Sequence, residues 1–294
     1  MTETPKIDSA AIETWRSGGM MIEHGRHTIF TRAGGDPDAR PVLLLHGFPT
    51  SSLDWLPVWP GLADRYRPVT LDFLGYGFSD KPHPHDYRLI EQADIVEALL
   101  AQLDIAEYDI LAHDYGVSVA QELLARHGAA IRSCAFLNGG LLPEQHRPRP
   151  IQELLAGPQG PEIVKHMNRD AFGAGFSEVF GPDTQPLEAE LDAYWAMISE
   201  NDGQRVQPAL LAYMAERAEH AARWRGVLAD PPCPLAMVNG VHDPVSGGHL
   251  ADALEALNPD IAVTRLDVGH YPQVEAPEAV LSAYLAFRKA ADAS

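Results

Sequence analysis

Tyr108-Asp109-Ile110-Leu111-Ala112-His113-Asp114-Tyr115-Gly116 decides how this chain is read. Tyr108 to Ala112 reads as a strand. A helix then starts near Gly116 and runs through Val117, Ala120, Leu123 and Leu124, ending before Gly128. Only a tight turn separates the two. The small residues Ala112 and Gly116 stand two positions either side of Asp114, where such a bend leaves no room for larger side chains. The bend would present Asp114 at its tip, and a carboxylate there can attack carbon and form an ester. The competing reading of Asp114 is an ordinary helix N-cap, common where a strand gives way to a helix.

Similar punctuation recurs on both sides of this segment. Met20 to Arg32 reads as two short strands around His24-Gly25-Arg26, and Val42 to Leu45 is a wholly apolar run suited to a strand buried on both faces. Arg67 to Phe73, Ile131 to Leu137, Pro234 to Asn239 and Ile261 to Leu266 read as further strands. From Leu89 the apolar positions Ala93, Val96, Leu100 and Leu103 step at helical spacing. Alternating strands and helices predict an α/β protein with a mostly parallel, doubly wound sheet. The stretch from Leu141 to Leu228 is rich in helix signals, proline and glycine, and has no clear strand. It is read as a helical cap inserted after the sixth strand, dividing a core of residues 1–140 and 229–294.

The 294 residues are 46% hydrophobic and 21% charged, a globular composition. A formal net charge of −19 repels phosphate backbones and anionic lipid, so neither a nucleic-acid nor a membrane partner is expected. Two cysteines, Cys134 and Cys233, are too few for a disulfide-built fold and favour a reducing compartment. With no apolar signal-peptide segment in Met1 to Arg26 and no run of about 20 apolar residues, a cytoplasmic location is expected.

In open parallel sheets ligands bind beyond the carboxyl ends of the strands. His46-Gly47-Phe48-Pro49 follows one such end, and the backbone N–H groups of Phe48 and Tyr115 could form an oxyanion hole; an ordinary turn is the alternative. Asp243 follows the strand ending at Asn239, and His270 follows the strand at 261–266. A loop histidine can be surface decoration and Asp243-Pro244 a turn starter. Three such residues at three strand ends, in the order Asp114, Asp243, His270, point to nucleophile, acid and general base.

At these residues the sequence resembles the α/β-hydrolase superfamily and, within it, the Asp-nucleophile branch of epoxide hydrolases and haloalkane dehalogenases. It is most similar to the mesoderm-specific-transcript hydrolase group. The stretches that carry this are Leu71-Asp72-Phe73-Leu74-Gly75-Tyr76-Gly77-Phe78-Ser79-Asp80-Lys81-Pro82, His113-Asp114-Tyr115-Gly116, Val119 to Leu124, Asn138-Gly139-Gly140, Asn201-Asp202-Gly203 and His270-Tyr271-Pro272-Gln273. Resemblance to epoxide hydrolases implies attack by Asp114 on an epoxide carbon, then ester hydrolysis by water that His270 activates. It also implies two cap tyrosines as acids. Tyr213 is the best match for one, with His146 and Tyr194 as further candidates; core packing is the alternative for both tyrosines. Resemblance to haloalkane dehalogenases implies the same triad with a halide-binding pair, usually including a tryptophan after the nucleophile, where this chain has Tyr115.

His83 and His85, between prolines, suggest a metal site at first sight, but no third ligand is obvious, and no metal or cofactor is expected. The strand end at Asn138 offers no carboxylate, which leaves Asp243 as the acid. The expected partners are a small apolar substrate and water, with a homodimer left open. An epoxide hydrolase is the first reading, and a haloalkane dehalogenase or a non-catalytic binding protein on this scaffold are the alternatives.

Overall fold

The computed structural model describes residues 4–293. Its eight strands are β1 (Met20–His24), β2 (His27–Ala33), β3 (Pro41–Leu45), β4 (Arg67–Leu71), β5 (Tyr108–Ala112), β6 (Ile131–Phe136), β7 (Leu235–Gly240) and β8 (Ala262–Leu266). They form one sheet in the order β1-β2-β4-β3-β5-β6-β7-β8. β1 and β2 make a hairpin, and β2 lies antiparallel to β4. All other neighbours are parallel.

The unbroken apolar runs of the central strands follow from burial on both faces. Leu43 and Leu45 of β3 enter one core with Ile110 and Ala112 of β5, while Val42 and Leu44 enter a second core with Leu111. The first core also holds Ile95, Leu99, Val117 and Leu123 from the helices Leu89–Gln102 and Tyr115–His127. The second holds Trp15, Trp55, Leu62, Val280 and Tyr284. Each fully buried Leu or Val contributes on the order of 1.5–3 kcal/mol relative to exposure, before chain entropy is subtracted.

Register brings the strand ends level. Leu45 pairs with Ala112, and Ala112 pairs with Phe136, so the loops after β3, β5 and β6 leave the sheet side by side. β4 stops at Leu71, two residues short of the sequence reading. At Asp72 the chain turns into a loop: its N–H still reaches the Phe30 carbonyl at 2.9 Å, while its carboxylate accepts two loop amides, Ser52 N–H at 2.8 Å and Phe78 N–H at 2.7 Å.

Between β6 and β7 the described chain makes helices and turns only. The architecture is the doubly wound, mostly parallel sheet with a helical insertion after the sixth strand. The last insertion helix, Ala221–Ala229, is fastened to the helix after β5. Glu122 accepts Trp224 Nε1–H at 2.8 Å and pairs with Arg223 at 2.9 Å and Arg126 at 2.7 Å. Burial disfavours the charge of Glu122, but these three donors outweigh it and hold its carboxyl down at about 2.

Candidate active site

The turn after β5 is built around one strained residue. Asp114 has φ 45° and ψ −103°, a region L-residues rarely occupy. The neighbours make the bend possible: a Cβ on Gly116 would overlap the Leu45 carbonyl oxygen, and one on Gly47 would lie 2.8 Å from Asp114 Cβ. The Asp114 N–H donates to the Asn138 carbonyl at 2.7 Å. Its side chain makes no capping bond to the helix that follows, which disposes of the N-cap reading. Instead Oδ1 accepts the Phe48 N–H at 2.8 Å, and Oδ2 lies 3.6 Å from His270 Nε2. The Tyr115 N–H has no acceptor among the described residues.

His270 stands between two carboxylates. Its Nδ1 lies 2.7 Å from Asp243 Oδ2, and its N–H donates to the Val179 carbonyl at 2.8 Å. Glu275 steadies the loop by accepting Gly269 N–H at 2.7 Å and Tyr271 N–H at 2.9 Å. Asp243 itself accepts Val245 N–H at 2.7 Å, Ser246 N–H at 3.0 Å, Ser246 Oγ–H at 2.6 Å and Asn138 Nδ2–H at 2.9 Å. Burial opposes the charge on Asp243, but His270 and these donors outweigh it and bring its carboxyl down to about 2. Burial likewise opposes imidazolium, yet Asp243 and Asp114 push His270 up to about 10. Asp114 is held below the usual carboxylate range by His270, with help from Arg217, against the burial that opposes its charge. The two carboxylates and the imidazolium between them thus favour one another's charged forms.

Above Asp114 and His270 lies a cavity of roughly 470 Å³. Phe48, Pro49, Val245 and Tyr271 join those two from the core side, and residues between Arg149 and Gln207 of the insertion supply the rest. Leu155, Ile163, Met167, Phe172, Phe176 and Ile198 make those walls largely apolar. None of the three cap acid candidates is among its lining residues. The Tyr213 hydroxyl accepts Gln152 Nε2–H at 3.2 Å, and its ring packs against Tyr115 at 5.6 Å. Tyr194 lies in the second core against Phe176, its hydroxyl without a partner among the described residues. His146 also has no partner for either ring nitrogen among the described residues, and burial followed by the Arg217 charge pushes it down to about 4.

Sequence reasoning missed four residues that shape this site. Asn138, set aside there as no carboxylate, grips the acid: it donates to Asp243 and to the Gly240 carbonyl and accepts the Gly240 N–H at 2.7 Å. Arg217 is 1% exposed, donates to the Asp114 carbonyl at 2.9 Å and to Ser118 Oγ at 2.8 Å, and stacks over the Tyr213 ring at 4.4 Å. A Cβ on Gly140 would collide with its guanidinium, which gives the Asn138-Gly139-Gly140 motif a physical meaning. Gln152 and Gln207 bring carboxamides to the cavity wall.

Residues 40–277 match a family model described as alpha/beta hydrolase fold. The chain belongs to the α/β-hydrolase superfamily. A putative hydrolase LipZ of Mycobacterium tuberculosis is 41% identical over 286 residues, covering 95% of this chain and 98% of that one. The human mesoderm-specific transcript homolog protein is 42% identical over 297 residues, covering 95% and 88%, so the resemblance to that group holds. Among solved structures, haloalkane dehalogenase DbeA from Bradyrhizobium elkani superposes with a TM-score of 0.80 at 25% identity, covering 94% and 98%. No helix among the described residues is long and apolar enough to cross a membrane.

Proposed function

We propose that this α/β hydrolase works through an ester on Asp114 and that its substrates are small apolar epoxides, opened to diols. The observation that carries the reading is the division of labour on one carboxylate: Phe48 N–H holds Oδ1, while Oδ2 faces His270 at the floor of an apolar cavity. A carboxylate so held is a nucleophile with a fixed line of attack.

The proton ledger favours an epoxide. Asp114 Oδ2 bonds to an epoxide carbon and the C–O bond breaks, leaving an alkoxide. The His270 imidazolium, favoured by Asp243 and Asp114 on either side, gives that alkoxide its proton and becomes neutral. Ester formation has removed the Asp114 charge, so neutral imidazole is favoured at this point. It then takes a proton from water, and hydroxide adds to the ester carbonyl. The oxyanion forms on Oδ1, where Phe48 N–H already donates and Tyr115 N–H is available. Collapse expels the diol oxygen, which takes the proton of the new carboxyl group. Asp114 carboxylate and His270 imidazolium are restored. No tyrosine acid is required, which fits the absence of Tyr213 and Tyr194 from the cavity lining.

Haloalkane dehalogenation is the second reading, favoured by the likeness to DbeA. It uses the same Asp114 and His270 but needs no proton for its leaving group. The deciding experiment is a single turnover in heavy-oxygen water with an epoxide and a bromoalkane. Heavy oxygen in the Asp114 peptide with diol formation supports the first reading, bromide release without diol supports the second, and an unlabelled Asp114 under turnover refutes both. Unpaired Cys134 and Cys233 support a reducing cytoplasmic setting within this reading.

A further inference from the structure

Gln207 opens the helix Gln207–Leu210 of the insertion and lines the cavity above Asp114 and His270. The residue is only 4% exposed, yet its carboxamide makes no hydrogen bond among the described residues. Because Gln207 lines the chamber, an apolar ligand that fills it would bury this amide without a partner, which is unfavourable.

The other polar groups of the insertion wall are committed. Gln152 Oε1 accepts the Arg149 N–H at 2.8 Å, and its Nε2 donates to the Tyr213 hydroxyl at 3.2 Å. The Arg149 guanidinium is held by Glu178 and by the Gly175 carbonyl. His166 is largely exposed and lies 3.4 Å from Glu162. Gln207 is thus the uncommitted hydrogen-bonding side chain on a mostly apolar wall.

We propose that Gln207 is a recognition subsite for a neutral oxygen acceptor, an ether or carbonyl oxygen, carried by an otherwise apolar ligand. An uncharged amide offers an N–H donor without compensating a full negative charge. An anionic head group would also be repelled by the ionised Asp114 on the opposite side and by the −19 formal charge of the whole chain. A site that donates a hydrogen bond discriminates against an isostere lacking the acceptor, because the amide is then buried dry. The subsite rests on the reading of this cavity as the substrate chamber, and it is independent of the leaving group.

Equilibrium binding of 4-phenylbutan-2-one and of butylbenzene tests it, with wild type, Gln207→Leu, Gln207→Glu and Asp114→Ala compared. Wild type and Asp114→Ala are expected to prefer the ketone. In Gln207→Leu the ketone-to-hydrocarbon affinity ratio should fall about tenfold, or about 1.4 kcal/mol. Gln207→Glu, which replaces donor by anion, should lower the ratio too and serves if the leucine variant does not fold. An unchanged ratio in either folded variant overturns the subsite, as does the absence of saturable binding of both probes to wild type. A failure to form an ester on Asp114 would sink the proposed chemistry and leave this binding ratio untouched.

Discussion

Arg217 donates from Nη2 to the main-chain carbonyl of Asp114 at 2.9 Å, and no carboxylate pairs with its buried guanidinium among the described residues. The cation is spent on a backbone carbonyl and a serine hydroxyl at the bend that carries the nucleophile. Arg217→Met leaves both acceptors buried without this donor, and a lost buried partner costs about 1–3 kcal/mol. Urea unfolding should register that loss. Turnover should drop about tenfold, since the carbonyl that loses the guanidinium and keeps only the Val117 N–H at 3.2 Å belongs to Asp114 itself, and Arg217→Lys should recover part of both.

His270→Gln removes the base and spares the nucleophile. Ester should still form with a bromoalkane and then persist, visible as a mass increase on the Asp114 peptide. Steady-state turnover should fall by about 10²–10⁴-fold, the usual range for a general base. Rapid release of product from the His270→Gln ester would show that His270 does not activate the water.

The leaving group should be legible in the pH profile. With an epoxide, the proton that quenches the alkoxide comes from His270, so the alkylation rate should decline as pH rises through about 10, where the imidazolium is lost. With a bromoalkane the same step needs no proton, and its rate should stay level there. Rapid-quench measurement of ester formation separates the two.

Stability should follow the same groups. The folded His270 titrates at about 10 against 6.5 in an unfolded chain, so its contribution is complete below 6.5 and fades as pH rises through 10. Asp243 titrates at about 2 against 3.8, so its contribution is present above 3.8 and is lost as pH falls through 2. Tm measured from pH 7 to 10 should fall in the wild type more steeply than in His270→Gln.

Gly116→Ala places a methyl against the Leu45 carbonyl, which the parallel β3–β5 pairing prevents from retreating. The expected cost is about 3 kcal/mol or more, in the range of severe packing and strain defects. Thermal unfolding, with activity of the folded fraction, gives the check.

Much of this site could be read before any coordinates, and the reason is positional. In a parallel sheet each strand hands its carboxyl end to the same edge, so Asp114, Asp243 and His270 could be placed together from strand counting alone. The insertion obeys no such rule. Helical spacing marks Tyr213 and Tyr194 as apolar-face residues, but which helix each meets depends on packing that periodicity does not encode, and neither is among the lining residues of the cavity. Arg217 escaped notice for a related reason: an arginine on a helix is ordinarily solvated, and its burial depends on the space that Gly140 leaves opposite. Asn138 carries no carboxylate and so no sequence mark of its role, which is to hold the acid with its amide.

The chamber draws its walls from two sources that do not interleave along the chain. Every lining residue from Arg149 to Gln207 lies in the insertion, and every one from the reactive side, Phe48, Pro49, Asp114, Val245, His270 and Tyr271, lies outside it. Most of the appetite is therefore heritable apart from the engine. A lineage can trade one clientele for another by rewriting a single contiguous stretch, and an engineer can graft that stretch from a cousin, provided the graft keeps the Val179 carbonyl that holds the His270 N–H and the Arg217 that anchors the Asp114 carbonyl.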